Sequence, residues 1–352
     1  MDTDIDTKTA ANPAAAPVIP ADTRIPVTVL TGYLGAGKTT LLNRILSGDH
    51  GRRYAVIVNE FGEIGIDGDL IIDTDEELFE MSNGCICCTV RGDLIRTLHG
   101  LLQREDAAPG RPSFDAIIIE TTGLADPGPV AQTFFVDPLL RRHMRLDSVT
   151  TVVDARHIPL RLADSREAHE QIAFADQILL NKIDLVDEAA LVAIEAQLRS
   201  LNSWAQIHRS QRSAVALTDV LGRSAFDLSR IELAESPPRP EGLSDHRLDD
   251  SIRSVSLRCD APMDADKLGA WLKALLATQG ANILRAKGII DLAGEERRLV
   301  VQAVHMLMEG ELQRPWRSDE PRHSRLVFIG RQLDGAVLQA AFEACAARPD
   351  LA

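Results

Sequence analysis

Gly32-Tyr33-Leu34-Gly35-Ala36-Gly37-Lys38-Thr39-Thr40 is the stretch that decides how the chain is read. A β-branched run at residues 25–29 precedes it, and a helix-like stretch at residues 41–46 follows. Together they match G-x-x-x-x-G-K-[ST] in the strand–loop–helix setting that a phosphate-binding loop requires. The glycines let the backbone curl close to an anion, so that consecutive N–H groups and the helix N-terminus face it. Gly32, Gly35, Ala36, Gly37, Lys38, Thr39 and Thr40 are the expected cradle. Within it Lys38 supplies a point charge to the β- and γ-phosphates, and the Thr39 hydroxyl holds Mg²⁺. A glycine-rich turn that binds nothing needs neither the Lys-Thr pair nor these flanks.

Working outward, an open α/β sheet gathers ligands at the C-terminal ends of its strands. Residues 54–58 read as a buried strand, followed by Asn59-Glu60-Phe61-Gly62-Glu63. Gly62, Gly65 and Gly68 make that segment pliable, as a nucleotide switch is; the plainer reading is an acidic surface loop. A strand at residues 114–120 ends in Glu120, with Thr121-Thr122-Gly123 behind it. A carboxylate there suits a Walker-B element that coordinates or orients Mg²⁺, while the Gly123 N–H faces the γ-phosphate. A strand at residues 148–153 ends at Asp154, read as a brace of the strand end or a cap of the next element, without chemistry.

The strand at residues 177–180 delivers Asn181-Lys182-Ile183-Asp184. A buried Asp184 carboxylate accepts hydrogen bonds from guanine N1–H and N2–H₂, a donor pair that adenine lacks. The Lys182 stem can cover the base, and Asn181 can tie this loop to the phosphate loop. The expected ligands are therefore GTP and GDP with Mg²⁺, and the expected catalytic residues are Lys38, Thr39 and Glu120.

Cys85-Ile86-Cys87-Cys88 is a second carrier of chemistry. Three thiols within four residues can converge on a soft or borderline cation, of which Zn²⁺ fits best; hard Mg²⁺ does not choose them. Three thiolates leave a fourth position for water, for a nearby carboxylate such as Glu63, or for a ligand from another protein. A thiol redox switch and inert buried cysteines are the competing readings. Cys259 and Cys345 stand alone and read as small core hydrophobes, and His305 and His323 as structural histidines.

At 352 residues with 45% apolar content, the chain can build about two cored domains. A net charge of −14 argues against general affinity for nucleic acid or anionic membrane. No apolar run is long enough to span a bilayer. Five cysteines, an odd number and clustered, suit a reducing compartment, so the expected location is the cytoplasm. Residues 1–24, rich in Ala, Pro, Asp and Thr, read as a flexible tail, and the Pro/Ser-rich stretch at 235–250 as a linker. The expected architecture is an α/β P-loop NTPase domain at residues 25–234, then a smaller α+β domain at 251–352. In the latter, strands are expected at 252–258, 283–292, 298–308 and 325–330, with helices at 264–277 and 335–346. Helices at 93–103 and 188–201 complete the reading.

With these motifs in place, the sequence resembles the CobW-type GTPases, also called zinc chaperones or metallochaperone GTPases. The resemblance runs through the phosphate loop, Asn59-Glu60-Phe61-Gly62-Glu63, Gly84-Cys85-Ile86-Cys87-Cys88 and Glu120-Thr121-Thr122-Gly123-Leu124-Ala125-Asp126-Pro127. It continues through Asn181-Lys182-Ile183-Asp184, Leu284-Arg285-Ala286-Lys287-Gly288 and Ser324-Arg325-Leu326-Val327-Phe328-Ile329-Gly330-Arg331. It implies a CobW-type GTPase domain with a CobW C-terminal domain, GTP hydrolysis, a metal on the three cysteines, and delivery of that metal to a client apo-metalloprotein. The shared motifs do not separate the zinc, cobalamin and nitrile hydratase branches of the family. Two other readings fit the same motifs: a metal-binding regulator that uses GTP as a conformational ligand, and a redox-controlled GTPase.

Overall fold

A computed structural model describes residues 23–48, 51–59, 78–81, 88–107, 114–221 and 252–347. Most of the expected tail, the linker, Glu63, Cys85, Cys87 and the Cys88 side chain lie outside the described residues.

The chain begins with β1 (Ile25–Thr31), α1 (Lys38–Leu46), β2 (Tyr54–Asn59), β3 (Leu78–Met81), α2 (Cys88–Ala107) and β4 (Ala116–Glu120). Next come α3 (Gly128–Val136), α4 (Pro138–His143), β5 (Met144–Asp154), α5 (Ile158–Asp164) and α6 (Arg166–Phe174). Then follow β6 (Gln177–Asn181), α7 (Glu188–Leu201), β7 (Gln206–Arg209) and the short α8 (Leu217–Val220). The seven strands pair in the order β3-β2-β4-β1-β5-β6-β7, every neighbour parallel. Parallel sheets are covered on both faces, which is why β4 (AIIIE) and β6 (QILLN) are buried at every position. From β1 the chain crosses through α1 to one side of the sheet, while β5 lies on the other. The C-terminal end of β1 therefore opens onto the crevice where the strand order reverses.

The second sheet is antiparallel. Its elements are β8 (Ile252–Cys259), α9 (Ala265–Gln279), β9 (Ile283–Ile290), β10 (Arg297–Val304), β11 (Leu307–Pro315), β12 (Ser324–Arg331) and α10 (Gly335–Glu343). The strand order is β11-β10-β9-β12-β8. Asp264 and Asp334 start the two helices by accepting hydrogen bonds from first-turn N–H groups. Alternate residues serve two cores. Leu326 and Phe328 face the layer formed with α9 and α10, whereas Val327 and Ile329 join a core shared with Phe134, Phe174 and Trp204 of the N-terminal portion. Cys259 and Cys345 are buried in the first of these cores.

The expected single strand at 298–308 is instead the β10–β11 hairpin. His305 turns the chain at φ 52, without the Asn-Gly or Asp-Gly signal that marks such turns in sequence. Strand β5 starts four residues before the expected 148, since it pairs with β1 from Met144 onward, through the charged Arg145 and Asp147, which meet each other at 3.0 Å. Helix α2 opens at Cys88, upstream of the expected 93.

Candidate functional site

Gly37 caps α1 from the left-handed region (φ 115) with no side-chain cap, and the first turn carries no acidic residue. Helix N–H groups and a positive dipole end are thus presented without a carboxylate from the helix's own first turn. Lys38 is 9% exposed and its Nζ donates to the Gly32 carbonyl at 3.0 Å, across the mouth of the loop. Thr39 Oγ1 donates to Glu120 Oε1 at 3.4 Å, which brings the end of β4 against the start of α1. Glu120 is buried.

Gly123 lies flat against the phosphate loop. A Cβ at this position would fall 2.7 Å from the Leu34 backbone nitrogen. The loop is held from behind by Gln171 of α6, whose Nε2 donates to the carbonyls of Gly123 (3.1 Å) and Ala125 (3.2 Å).

On the other side, Asn181 Nδ2 donates to the Ala36 carbonyl (2.9 Å) and to Ser213 Oγ (3.2 Å). Ser213 returns its N–H to Asn181 Oδ1 (2.9 Å) and its hydroxyl to the Gly37 carbonyl (3.0 Å). A Cβ on Gly37 would fall 2.5 Å from the Asn181 amide nitrogen. Lys182, at φ 60, extends its Nζ to the Gly35 carbonyl (2.8 Å) and to Asp154 Oδ2 (2.7 Å). Asp154 thus braces the strand end against Lys182. It also caps the next turn through the Arg156 and His157 N–H groups. Burial pushes its carboxyl up, but the Lys182 and His157 hydrogen bonds outweigh this and hold it below the ordinary range. Asp184 is exposed in the 3₁₀ turn Ile183–Leu185, contrary to the expected burial. The left-handed Lys182 carries the chain off the end of β6 onto the rim, outside the core.

Sequence reasoning missed Gln171 and Ser213. Neither sits in a recognised motif; Gln171 reads as one more polar residue on a helix, and Ser213 as a turn residue after a strand.

The loop at residues 181–184 and the phosphate loop are thus tied into one body at the crevice of a parallel sheet, the build of a P-loop nucleotide-binding protein. The family described as CobW/HypB/UreG, nucleotide-binding domain, matches residues 26–209, and the cobalamin synthesis protein cobW C-terminal domain matches residues 252–346. The chain belongs to this family. It is 38% identical to the zinc chaperone YjiA of Escherichia coli (strain K12), over 90% of this chain and 98% of that one. Identity to the zinc chaperone CobW of a Sinorhizobium species is 35%, over 91% of this chain and 97% of that one. The crystal structure of Zn(II)-bound YjiA GTPase from E. coli superposes with a TM-score of 0.71 at 33% identity, covering 92% of this chain and 99% of that one. Among the described residues no helix is long and apolar enough to cross a membrane.

Proposed function

We propose that this chain is a GTP-hydrolysing metallochaperone. Zinc is cargo held by Cys85, Cys87 and Cys88, with Glu63 as a candidate fourth ligand, and nucleotide state gates its transfer to a client apo-metalloprotein. Residues 25–234 form the GTPase domain and residues 251–352 the C-terminal domain.

One observation carries the coupling. In the sheet, Glu80 of β3 is in register with Val58 of β2, which is in register with Glu120 of β4. Neighbouring strands lie about 4.8 Å apart, so β3 ends about 10 Å from Glu120. The cysteines follow in sequence between the end of β3 at Met81 and the start of α2 at Cys88. A chain segment that starts this near to Glu120 and Gly123 can respond to what those residues contact.

The Thr39 hydroxyl and Glu120 carboxylate are hard oxygen donors that suit Mg²⁺, and the Thr122 hydroxyl nearby is shielded from solvent without a hydrogen-bond partner among the described residues. The ion, when bound, neutralises charge on the β- and γ-phosphates. Lys38 and the first-turn N–H groups of α1 bind and orient the phosphates. The Gly123 N–H meets the γ-phosphate, and Asp184 accepts from the guanine edge.

Zinc affinity measured by competition with a chromogenic chelator, in the GDP form and with a non-hydrolysable GTP analogue, tests the reading. A coupling of about 1–3 kcal/mol separates the two affinities roughly 5- to 150-fold. Equal affinities in both states overturn nucleotide-gated transfer.

A further inference from the structure

Helix α6 does two jobs with successive residues. Gln171, 1% exposed, reaches toward the nucleotide side and holds the carbonyls of Gly123 and Ala125. Its own backbone carbonyl accepts from Thr151 Oγ1 of β5 at 2.8 Å, so the residue is held at its backbone as well as at its side chain. The residues around it are gripped by the C-terminal sheet. Glu170 accepts from Arg331 of β12 at 2.6 Å, and the Phe174 ring lies 5.4 Å from the imidazole of His305 at the β10–β11 turn. Just beyond the helix, Asp176 accepts from Arg285 of β9 at 2.8 and 3.0 Å and from Lys287 of the same strand.

A glutamine amide has two N–H donors and one carbonyl. Here the donors are spent on two carbonyls of one short loop, which fixes the Gly123–Leu124 and Ala125–Asp126 peptide planes. The peptide that would present the Gly123 N–H to a γ-phosphate is next to these planes. A shift of α6 along its axis therefore moves that N–H, and the sheet that holds Glu170, Phe174 and Asp176 sets where α6 lies.

We infer that Gln171 is a positioning residue for the loop at residues 123–125, and that α6 transmits the seating of the C-terminal domain to it. This rests on the GTPase reading above. The C-terminal domain is thereby a lever on hydrolysis, and a partner that reseats that domain changes turnover without touching nucleotide.

The test uses the full chain, with steady-state and single-turnover GTP hydrolysis, nucleotide affinity and thermal unfolding measured in parallel. Gln171→Met is expected to lower kcat about 3- to 30-fold, with KM and GDP affinity changed less than about twofold. Gln171→Glu keeps the shape but replaces both N–H donors with an acceptor oxygen that faces the two carbonyls, and is expected to be as slow, so the test survives if the Met variant folds poorly. Arg331→Met leaves Glu170 its Arg166 partner at 2.7 Å and is expected to lower kcat in the same direction by a smaller factor. The double variant Gln171→Met/Arg331→Met is expected to be no slower than Gln171→Met alone, because one path has been cut twice. Unchanged kcat in both Gln171 variants overturns the inference, as does a double variant whose effects multiply. A hydrolysing wild type with unaltered variants rejects this inference alone; a wild type that hydrolyses no GTP rejects the reading beneath it as well.

Discussion

The Asn181 side-chain amide donates to the Ala36 carbonyl across 145 positions of sequence, at 2.9 Å. The loop at residues 181–184, proposed to meet the base, and the phosphate loop are thereby one unit before any ligand arrives. Preorganisation of this kind lowers the ordering cost of binding, since the distance between the two contact sets is already set.

Asn181→Ala tests that unit. The substitution leaves the Ala36 carbonyl, Ser213 hydroxyl and Ser213 N–H without this buried partner. A buried polar group left unsatisfied costs about 1–3 kcal/mol, so stability and nucleotide affinity are expected to fall together. Chemical denaturation and fluorescent-nucleotide titration read the two. An affinity loss without a stability loss would mean that Asn181 meets the base directly and is not a tie.

Asp184→Asn is expected to exchange base preference. In the proposed site the carboxylate accepts two donors from guanine; an amide offers one acceptor and one donor group, which matches the altered edge of xanthine. Hydrogen bonds to charged groups contribute about 1.5–3 kcal/mol, so GTP affinity should fall roughly 10- to 150-fold. Xanthosine triphosphate affinity should rise. Competitive binding with both nucleotides measures the exchange, and a variant that loses both equally contradicts the assignment of Asp184 to the base.

Much of this site was legible because its parts are contiguous. Gly32 to Thr40 is a local strand–loop–helix, and Asn181 to Asp184 follows the apolar run at residues 178–180. What could not be read is what depends on distant contacts. Arg285 and Lys287 look like solvated positions on a strand, yet each is about 5% exposed because Asp176 meets them. Helix α3 (GPVAQTFFV) is buried along most of its length and shows no clean 3.6-residue alternation. Gln171 acts through backbone carbonyls 48 and 46 positions away, and no motif encodes such a contact. The cysteine cluster was equally conspicuous in sequence, but its thiols lie outside the described residues, so its role stands on sequence chemistry and on where β3 ends.

Asp176 joins the two sheets, and its removal should show it. Burial pushes its carboxyl up, but the Arg285 and Lys287 charges outweigh burial and hold it below the ordinary range. Burial beside Arg285, opposed by Asp176, brings Lys287 down to about 8. Asp176→Ala leaves two buried cations without their shared carboxylate, and breaking a buried pair costs about 3–5 kcal/mol. Because the folded-state value of Asp176 is depressed, its stabilisation is complete above its unfolded value and is lost as pH falls through the folded one. The stability difference between wild type and Asp176→Ala should therefore shrink at acid pH, as measured by denaturation from neutral pH down to about 3. A difference that stays constant over that range contradicts the ionised bridge.

Gly123→Ala asks how tightly the loop at residues 123–125, proposed to meet the γ-phosphate, is packed. The added methyl would stand 2.6 Å from Leu34 Cδ2 and 2.7 Å from the Leu34 backbone nitrogen. The side chain can turn away, for Leu34 is 61% exposed, but the backbone nitrogen belongs to the phosphate loop and cannot. The loop at 123–125 must then retreat, stretching the hydrogen bonds that Gln171 makes to the Gly123 and Ala125 carbonyls. Lys38, Asn181 and Asp184 are untouched, so GDP affinity should hold within about threefold, as suits a change confined to γ-phosphate contacts. Displacement of a positioning group by about 1 Å can cost about 100-fold in rate, and kcat for GTP should fall by that order. Single-turnover hydrolysis beside GDP titration separates the two effects. Equal losses in GDP affinity and in kcat would place Gly123 in the general build of the crevice and not at the γ-phosphate.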